Sequence, residues 1–515
     1  MNSTPLQATL IVDRDFVLGP VDSKIFGSFI EHLGRAVYTG VFEPGHPSAD
    51  SDGFRGDVLD LIRELNVSIV RYPGGNFVSG FNWEDSIGPQ GGRPRRLDLA
   101  WMSTESNQFG LNEFMTWVRK AGIEPMMALN LGTRGPSEAR DLIEYCNHPG
   151  GTRWSDLRRT HGFSEAHRIK YWCLGNEMDG PWQIGHKTAS EYGRIACETA
   201  KILKWVDPSV SLVASGSSGH AMNTFGTWEL EVLHHTLEHV DFISLHMYNG
   251  NVMDDLTHYL PLSDEMDDFI RETVSLCDAA AAKQKSRKKI MLSFDEWNAW
   301  YHDQESLKWL RGEKSSLTQA KWDEAPPLLE DHYNMADALL VGSMLITLLN
   351  NADRVKIACL AQLVNVIAPI MTRPGGPAWR QTIFYPFLHG SRFGRGVSLR
   401  PVIRSPLFDT RHRQGSPYLT ASAIHHPDKN ELVIFAVNRS VDQSLQLTGD
   451  LRSLEADSVI EWLSLSHSDT KAINGPENPA QVIPVSRTEA RLETGRLSAL
   501  LNPLSWNVIR LKTSK

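Results

Sequence analysis

Eight short apolar segments recur along the first 365 residues of this chain, and amphipathic segments separate them. The intervening segments carry apolar residues at helical spacing, as in residues 56–66, 111–122 and 333–351. Strands that alternate with helices form a parallel sheet, and eight such strands close a barrel. We therefore predict an α/β fold built on a (β/α)8 TIM barrel. The predicted strands are residues 24–31, 68–76, 124–132, 169–177, 211–218, 240–248, 289–297 and 355–363.

The pattern changes after about residue 395, where short segments of alternating polarity are separated by Asn, Asp, Gly and Pro. This pattern predicts an all-β, jelly-roll-like sandwich. The opening strand-like segment, residues 8–16, has no place in the barrel, so we expect it to join the sandwich. The predicted domains are an N-terminal strand segment at 1–20, the barrel at 21–390 and the sandwich at 391–515. The predicted sandwich strands are residues 418–426, 431–440, 444–450, 480–486 and 505–512.

Acidic residues outnumber basic ones, with 61 Asp and Glu against 52 Lys and Arg, and the net charge is −9. Nucleic acids and anionic membranes bind basic surfaces, so we expect neither as a partner. The first residues lack the basic and apolar regions of a secretory signal, and no apolar run is long enough to span a membrane. We therefore expect a cytoplasmic protein.

The cysteines and histidines give no sign of a metal site. None of the five cysteines forms a CxxC pair, which indicates buried, reduced thiols and not disulfides or zinc ligands. The adjacent His234 and His235 are expected on a helix face. We therefore predict no metal and no cofactor. The cysteines are Cys146, Cys173, Cys197, Cys277 and Cys359.

Six of the eight predicted strands end in polar or acidic residues. In a (β/α)8 barrel the catalytic groups lie at the C-terminal ends of the strands. Helix caps or hydrogen-bonded core residues would explain one or two of these polar ends, but six at one rim indicate a functional site. The residues concerned are Glu31, Asn76, Asn176 with Glu177, His246 with Tyr248, Glu296, and Gln362.

Two glutamates stand out among these residues. Glu177 follows the fourth strand and Glu296 the seventh, and these strands face each other across the mouth of a barrel. Cleavage of a glycosidic bond needs one protonated carboxyl group and one ionised carboxylate, which such a pair supplies. Asp295 is a competing nucleophile, but adjacent strand residues point to opposite faces, so we expect it to face away, held by backbone or cationic groups. Asp179 is a second competitor whose loop leaves its direction open.

Longer motifs around these residues are similar to those of a known enzyme family. They are GSFIEHLGRAVYTGVFEPGHP (27–47), RYPGGNFVSGFNWEDSIGP (71–89), CLGNEMDGPWQIGH (173–186), SLHMYN (244–249), FDEWNAWY (294–301) and CLAQLVNVIAPI (359–370). In this order they closely resemble the α-L-arabinofuranosidases of glycoside hydrolase family 51. The resemblance covers nearly the whole predicted barrel, whereas the predicted sandwich carries less specific signal.

The resemblance implies roles for individual residues. Glu177, in the GNEMDG motif, matches the family's acid/base, and Glu296, in DEWN, matches its nucleophile. Arg71 and Tyr248 resemble groups that keep the nucleophile ionised and oriented, and Trp300 resembles an aromatic wall of the sugar cleft. The residues that match positions holding the furanose ring are Glu31, Asn76, Asn176, Tyr248 and Gln362.

The function implied is exo-acting, retaining hydrolysis of terminal α-L-arabinofuranosides in oligosaccharides from arabinan or arabinoxylan. Family members are commonly hexamers without a metal, so a homo-hexamer is implied. His246 stays open between a hydrogen-bonded core histidine and a residue that contacts the sugar. A β-xylosidase or endo-β-glucanase on the same barrel is the alternative activity, and a non-catalytic sugar-binding scaffold is the alternative class. The preferred linkage is not fixed by these motifs.

Overall fold

The structure, a computed structural model, describes residues 4–300, 308 and 321–514; Tyr301, the last residue of the motif at 294–301, lies outside them. The helices are α1 (Gly56–Leu65), α2 (Leu111–Ala121), α3 (Pro136–Asn147), α4 (Arg153–Thr160), α5 (Ala189–Val206), α6 (Thr227–Thr236), α7 (Leu256–Tyr259), α8 (Leu262–Lys283), α9 (Met335–Asn350) and α10 (Phe384–Phe393). The strands up to residue 360 are β1 (Leu6–Ile11), β2 (Val17–Pro20), β3 (Gly27–Phe29), β4 (Ile69–Tyr72), β5 (Arg96–Asp98), β6 (Ser103–Glu105), β7 (Glu124–Ala128), β8 (Tyr171–Leu174), β9 (Ser211–Ala214), β10 (Phe242–Asn249), β11 (Met291–Ala299) and β12 (Val355–Leu360). The later strands are β13 (Ile370–Thr372), β14 (Ala378–Arg380), β15 (Val397–Leu399), β16 (Val402–Arg404), β17 (Leu407–Phe408), β18 (Ser416–Pro417), β19 (Leu419–His426), β20 (Glu431–Asn438), β21 (Leu445–Asp450), β22 (Ser458–Leu465), β23 (Val485–Ser486), β24 (Arg491–Glu493), β25 (Arg496–Leu501) and β26 (Ser505–Lys512).

Eight parallel strands close a barrel, which confirms the predicted fold. Their order around the barrel is β3, β4, β7, β8, β9, β10, β11 and β12, and β12 pairs back onto β3. Helices cover the outside; in α1 the buried residues Val58, Leu61, Ile62 and Leu65 follow helical spacing. An apolar cluster on the barrel strands includes Phe29, Ile69, Met126, Cys173, Val213, Phe242 and Ile357.

Two sheets outside the barrel form a β-sandwich. One has the strand order β16-β1-β21-β25-β24 and the other β2-β15-β19-β20-β26-β22-β23. One buried apolar cluster lies between them and includes Leu10, Leu432, Leu447 and Ile509. Both N-terminal strands lie in these sheets, since β1 pairs with β16 and β21, and β2 pairs with β15. Of the predicted segment 480–486, only Val485–Ser486 is a strand. The domain boundaries at 20/21 and 390/391 stay predictions.

Helix α9 joins the barrel to the sandwich. Every residue of this helix except the last is buried, because the helix is covered on all sides. Gly342, in the middle of α9, allows close contact with the sandwich, since a Cβ at this position would lie 2.6 Å from Trp506 Cε3 in β26. Arg439 of the sandwich adds a polar contact, donating to Ser263 Oγ at 2.6 Å and to Asp264 Oδ1 at 2.9 Å in α8. The two domains therefore share a packed interface.

In the described part of the chain, no helix has both the length and the apolar character needed to cross a bilayer. All five cysteines are buried and free of disulfide bonds. Burial raises the pKa of the Cys277 thiol to about 12, which disfavours the nucleophilic thiolate. The thiols therefore have the environment of structural cysteines.

The variant Gly342→Ala tests the packing between α9 and the sandwich. Alanine is favoured over glycine in a helix by about 1 kcal/mol. The added methyl group would, however, overlap the Trp506 ring, and overpacking costs about 1–3 kcal/mol. We expect a net loss of stability, measured as a lower midpoint of urea unfolding. Gly91→Ala is the control, because a Cβ there meets nothing within 4 Å. An unchanged or higher midpoint for Gly342→Ala would contradict the close packing.

Candidate active site

The C-terminal ends of the barrel strands bring the predicted site residues together in one cleft. Arg71 lies on β4, His246 and Tyr248 lie on β10, and Glu296 lies on β11. The other predicted residues lie in the loops that directly follow strands. These residues are Glu31 after β3, Asn76 after β4, Asn176 and Glu177 after β8, Trp300 after β11, and Gln362 after β12.

Glu296 is held at both carboxylate oxygens. Arg71 Nη1 donates to its Oε1 at 2.6 Å, and the Tyr248 hydroxyl donates to its Oε2 at 2.7 Å. The Glu296 side chain is 7% exposed, so these two donors dominate its surroundings. They fix the orientation of the carboxylate and compensate its negative charge.

Arg71 also fixes the orientation of Asn176. Its Nη2 donates to Asn176 Oδ1 at 2.6 Å, so the amide oxygen is occupied. The Asn176 amide nitrogen then points elsewhere and lies 3.4 Å from Gln183 Oε1. An amide nitrogen carries two hydrogens, which leaves Asn176 able to donate a further hydrogen bond beside Glu296.

Glu177 has a left-handed backbone conformation, with a φ of 44°. A non-glycine residue in such a region costs about 1–3 kcal/mol, and strain of this kind persists where the surroundings hold it. Two contacts hold the Glu177 carboxyl group. Trp182 Nε1 donates to its Oε2 at 2.7 Å, and His246 Nδ1 lies 2.9 Å from its Oε1. The side chain is therefore fixed from two directions.

Asp295 and Glu296 reach the same polar cluster, although they are adjacent in β11. The register of β11 against β12 shifts between Phe294 and Trp297, and such a bulge breaks the two-residue alternation of side chains. Asp295 is 1% exposed, and its Oδ2 lies 3.8 Å from Arg71 Nε. The expectation that Asp295 faces away was wrong, because the bulge turns both carboxylates toward Arg71. The expected cationic partners of Asp295 are present, and it lies deeper than Glu296.

His246 bridges two of the carboxylates. Its Nδ1 faces Glu177, and its Nε2 lies 3.0 Å from Asp295 Oδ1. Burial alone would lower the pKa of His246, but the surrounding carboxylates raise it to about 10. Burial alone would raise the pKa of Asp295, but Arg71 and His246 hold it below its usual range. His246 is therefore an imidazolium at neutral pH, and it donates to the protein from both nitrogens. This arrangement favours the hydrogen-bonded core histidine over a sugar contact.

One set of potential metal ligands lies in this cleft. Glu177, His246 and Glu296 each offer one atom, and these three atoms lie within 4.8 Å of one another. However, the imidazole Nδ1 already faces Glu177, and both oxygens of Glu296 accept hydrogen bonds. A metal ion would have to displace these partners and a proton. The expectation of a site without a metal stays a prediction.

Glu31 is a buried carboxyl group held by neighbouring loops. Phe77 N–H and Trp101 Nε1 both donate to its Oε1, at 2.8 Å and 3.0 Å. The Oε1 of Gln362 accepts the backbone N–H of Glu31 at 3.0 Å. Burial raises the pKa of Glu31 to about 8, although Phe77 and Trp101 oppose this shift. Glu31 is therefore protonated at neutral pH and can donate a hydrogen bond. Asn76, half-buried, begins the turn that contains Phe77.

Aromatic residues surround these polar groups. Trp300 is 6% exposed and packs edge-on against Tyr248, with the ring centroids 5.0 Å apart. Trp101 donates to Glu31 and Trp182 donates to Glu177, and neither tryptophan was among the predicted site residues. Both tryptophans lie in loops, so no periodic pattern marks them. The Gly-Pro-Trp tripeptide at 180–182, directly after the GNEMDG motif, was the available signal for Trp182.

The sequence matches known families over most of its length. Residues 61–268 match the profile described as Alpha-L-arabinofuranosidase 1 domain, and residues 295–505 match that of the Alpha-L-arabinofuranosidase C-terminal domain. An intracellular exo-α-(1→5)-L-arabinofuranosidase from Halalkalibacterium halodurans is 56% identical over 506 residues, which cover 98% of this chain and 99% of the relative. An exo-α-(1→6)-L-arabinofuranosidase from Bifidobacterium longum is 47% identical, over 98% of this chain and 97% of the relative.

Solved structures of α-L-arabinofuranosidases are similar to this chain over nearly its whole length. A family 51 α-L-arabinofuranosidase from Bifidobacterium longum superimposes with a TM-score of 0.93 at 43% identity, over 99% of this chain and 100% of that one. An α-L-arabinofuranosidase from Thermotoga maritima, in complex with arabinose, gives a TM-score of 0.86 at 32% identity, over 98% of this chain and 100% of that one. The likeness therefore includes both the barrel and the sandwich.

The variant Glu31→Gln tests the protonation of this buried carboxyl group. Its pKa is about 8 in the folded protein, against an ordinary value of 4.5. The folded state therefore binds more protons between these values, and the stability contributed by Glu31 is lost as the pH rises toward 8. Glutamine cannot ionise, so we expect the free energy of unfolding to depend less on pH in the variant.

The measurement is urea unfolding between about pH 5 and about pH 8. Glu165→Gln, at an exposed glutamate, serves as the control and should keep the pH dependence of the wild type. Equal slopes of stability against pH in the wild type and in Glu31→Gln would contradict a neutral Glu31.

Proposed function

The chain belongs to the α-L-arabinofuranosidases of glycoside hydrolase family 51, and we propose that it releases terminal arabinofuranosyl groups by double displacement with retention of configuration. Its membership in this family makes it an exo-acting glycoside hydrolase and excludes a non-catalytic scaffold. In the proposed mechanism, Glu296 is the nucleophile, and Glu177 is the general acid and then the general base.

The short distance between the two glutamates carries this proposal. An oxygen of Glu177 and an oxygen of Glu296 lie within 4.8 Å of each other. Retaining glycosidases hold their two carboxyl groups about 5–5.5 Å apart, whereas inverting enzymes need about 6.5–9.5 Å to admit a water molecule. The separation here suits direct attack by a carboxylate on the sugar, and thus supports retention.

The charges in the cleft support the assignment of roles. Arg71 and protonated His246 carry two positive charges, and Asp295 and Glu296 carry two negative charges. A proton on Glu177 leaves this buried group of charges neutral. Glu177 is therefore suited to carry the proton before the reaction begins.

In the first step, the Glu296 carboxylate attacks the anomeric carbon, and the bond from that carbon to the leaving oxygen breaks. The proton of Glu177 moves to the leaving oxygen, so the leaving group departs as a neutral alcohol. The product is a covalent arabinosyl ester of Glu296. Positive charge develops on the furanose ring in the transition state, and the cleft becomes more negative as Glu177 loses its proton, which stabilises that charge.

In the second step, Glu177 acts as a base. It takes a proton from a water molecule whose oxygen attacks the anomeric carbon, and the ester bond to Glu296 breaks. Arabinose leaves with its original configuration, and Glu177 is protonated again. Tyr248 and Arg71 receive the released carboxylate, because both donors already face its two oxygens.

We infer that the other predicted residues hold the furanose ring. Asn176 has its amide oxygen occupied by Arg71 and is left with N–H groups for the sugar 2-hydroxyl, where hydrogen bonds strengthen in the transition state. Neutral Glu31 can donate to one sugar oxygen and accept from another. Asn76 and Gln362 line the same loops, and Trp300 supports Tyr248.

We propose α-(1→5)-linked oligosaccharides, as released from arabinan, as the preferred substrates. Four relatives at 53–56% identity are named intracellular exo-α-(1→5)-L-arabinofuranosidases, whereas the relative named for (1→6) bonds is 47% identical. Oligosaccharides from arabinoxylan are a second source of terminal arabinose. A cytoplasmic location follows by analogy with these relatives, and a homo-hexamer rests on the family resemblance alone.

Removal of each glutamate should give a different kinetic pattern. We expect Glu296→Ala to lose more than about 10,000-fold in kcat on every arabinoside, because no nucleophile remains. Glu177→Ala should lose about 100- to 10,000-fold on α-(1→5)-arabinobiose, whose leaving group needs a proton. It should lose far less on 4-nitrophenyl α-L-arabinofuranoside, and azide should restore turnover by forming arabinosyl azide.

Steady-state kinetics on the two substrates make this comparison. Glu165→Ala, at an exposed glutamate, is the control and should behave as the wild type on both. Equal losses of Glu177→Ala on the aryl and the sugar substrate would show that Glu177 is not the acid.

A panel of substrates tests the linkage and the stereochemistry. We expect kcat/KM to be about tenfold higher for α-(1→5)-arabinobiose than for its (1→6) and (1→3) isomers, since one extra contact in the leaving-group region accounts for such a ratio. Proton NMR should detect the α-anomer of arabinose first, before mutarotation. The β-anomer as first product would exclude retention. Faster hydrolysis of xylobiose or cellotetraose than of arabinobiose would favour the β-xylosidase or endo-β-glucanase alternative.

A further inference from the structure

The hairpin formed by β5 and β6 carries Trp101 at its turn, and the Trp101 Nε1 donates to Glu31 Oε1 at 3.0 Å. Each of the two strands has only three residues. Leu97 and Leu99 are 59% and 60% exposed, so these apolar side chains do not fix the hairpin in the core. A two-stranded hairpin by itself is marginally stable in water. The position of Trp101 therefore depends on other contacts of the hairpin.

The contacts of β6 differ in depth. Thr104 binds the backbone oxygens of residues 322 and 323, which are exposed at the surface. Glu105, the last residue of the hairpin, is 6% exposed. Surface contacts exchange readily with water, whereas a buried carboxylate requires its hydrogen-bond partners. Glu105 is therefore the firm end of the hairpin.

The Glu105 carboxylate is hydrogen-bonded at both oxygens. His32 Nδ1 lies 2.7 Å from its Oε2, and its Oε1 accepts the Tyr38 hydroxyl and, at 2.5 Å, the Asn107 N–H. Burial alone would raise the pKa of Glu105, but His32 and the other donors hold it below its usual range. Glu105 is thus an ionised carboxylate that ties the hairpin to the end of β3.

His32 links this carboxylate to the proposed sugar site, because it directly follows Glu31 in the chain. Its side chain is 1% exposed, and its ring stacks on Phe77 with the centroids 4.9 Å apart. Its Nε2 lies 2.8 Å from the Tyr72 hydroxyl. One tautomer satisfies both polar contacts, since Nδ1–H can donate to Glu105 while Nε2 accepts from Tyr72. The imidazole is therefore fixed at both nitrogens and at one face.

Glu31 receives hydrogen bonds from both parts of this arrangement. Its Oε1 accepts the N–H of Phe77, the residue on which the imidazole stacks, and the Nε1–H of Trp101. A Cβ at Gly75 would lie 3.1 Å from Glu31 Oε2 and 3.2 Å from Glu296 Oε1, so the two carboxyl groups border the same space. A shift of the hairpin would therefore change a hydrogen bond beside the proposed nucleophile.

We propose that His32 and Glu105 are a positioning pair for sugar binding: their contact anchors the hairpin and so holds Trp101 on Glu31. This inference rests on the proposed function, because it takes Glu31 as a residue that holds the furanose ring. The pair acts on the sugar through Trp101 and not by direct contact. A buried pair of this kind can also serve stability alone, so inhibition constants and unfolding midpoints are both measured.

Three substitutions separate the contacts. His32→Phe removes both ring nitrogens and keeps an aromatic ring, whereas His32→Asn keeps an N–H near the position of Nδ1. Trp101→Phe removes the N–H that binds Glu31. His389→Phe is the matched control. His389 is also a buried histidine, 4% exposed, but its Nδ1 accepts from Trp506 Nε1 of the sandwich.

For His32→Phe we expect the inhibition constant of free arabinose to rise about fivefold, the effect of one weakened hydrogen bond. kcat/KM on 4-nitrophenyl α-L-arabinofuranoside should fall about fivefold or more, because the ring must be held in the transition state as well. His32→Asn should recover most of this loss. His389→Phe should lower the midpoint of urea unfolding and leave the inhibition constant unchanged.

A double-mutant cycle tests whether His32 acts through Trp101. Trp101→Phe alone should raise the arabinose inhibition constant about fivefold. The double variant of His32→Phe and Trp101→Phe should stay at that value, whereas independent effects would multiply to about 25-fold. Tyr38→Phe is a milder second variant that removes one donor to Glu105. It should raise the inhibition constant about twofold, and not at all when Trp101→Phe is present.

Two results would overturn the inference. His32→Phe could lower the unfolding midpoint, as His389→Phe does, and leave the arabinose inhibition constant unchanged, which would show a purely structural pair. The double variant could instead reach the product of the single effects, which would show that His32 does not act through Trp101. If His32→Phe does not fold, Tyr38→Phe provides both comparisons. Failure of the proposed role of Glu31 gives a different result, because Trp101→Phe and Glu31→Ala would then both leave the inhibition constant unchanged.

Discussion

The buried guanidinium of Arg71 is the interaction on which the rest of this site depends. Arg71 is 1% exposed, and a charge so deeply buried is costly unless it is paired and hydrogen-bonded. Its partners come from distant parts of the barrel: Glu296 from β11 and Asn176 from the loop after β8. Neither β8 nor β11 is a neighbour of β4 in the sheet. The charge of Arg71 is therefore compensated only when the barrel is closed. The same guanidinium orients the proposed nucleophile and a proposed sugar-binding amide.

The cleft contains more carboxylates than Arg71 alone can neutralise. The bulge in β11 places Asp295 and Glu296 at different depths, so that His246 can act as a second cation. Asp295 lies below Glu296 and binds His246 Nε2, so the imidazole ring is held with Nδ1 toward Glu177. Without the bulge, strict alternation would have placed one of the two carboxylates outside the barrel. The irregular register thus permits one cation to hold the proposed nucleophile while the other, supported by Asp295, faces the proposed acid.

Much of this arrangement could be predicted from the sequence, because the strand ends of a barrel converge at one rim regardless of the conformation of the loops. Each of the eight predicted strand segments overlaps an observed barrel strand, since runs buried on both faces are apolar throughout. The directions of Asp295 and His246 could not be predicted, because they depend on the register of neighbouring strands and on partners far away in the chain. Trp101 and Trp182 lie in loops, where no period links sequence to direction.

The same distinction between strands and loops bears on specificity. The proposed catalytic residues lie at the strand ends, and the family includes relatives named for (1→5) and for (1→6) bonds. In the proposed mechanism the linkage concerns the leaving group, which departs from the two glutamates toward the loops at the mouth of the barrel. Loop positions that do not contact Arg71 or the buried charges can change without disturbing that network. Selection for a new linkage can therefore act on the loops alone, whereas a change in the buried charges would affect the folding of the barrel and catalysis together.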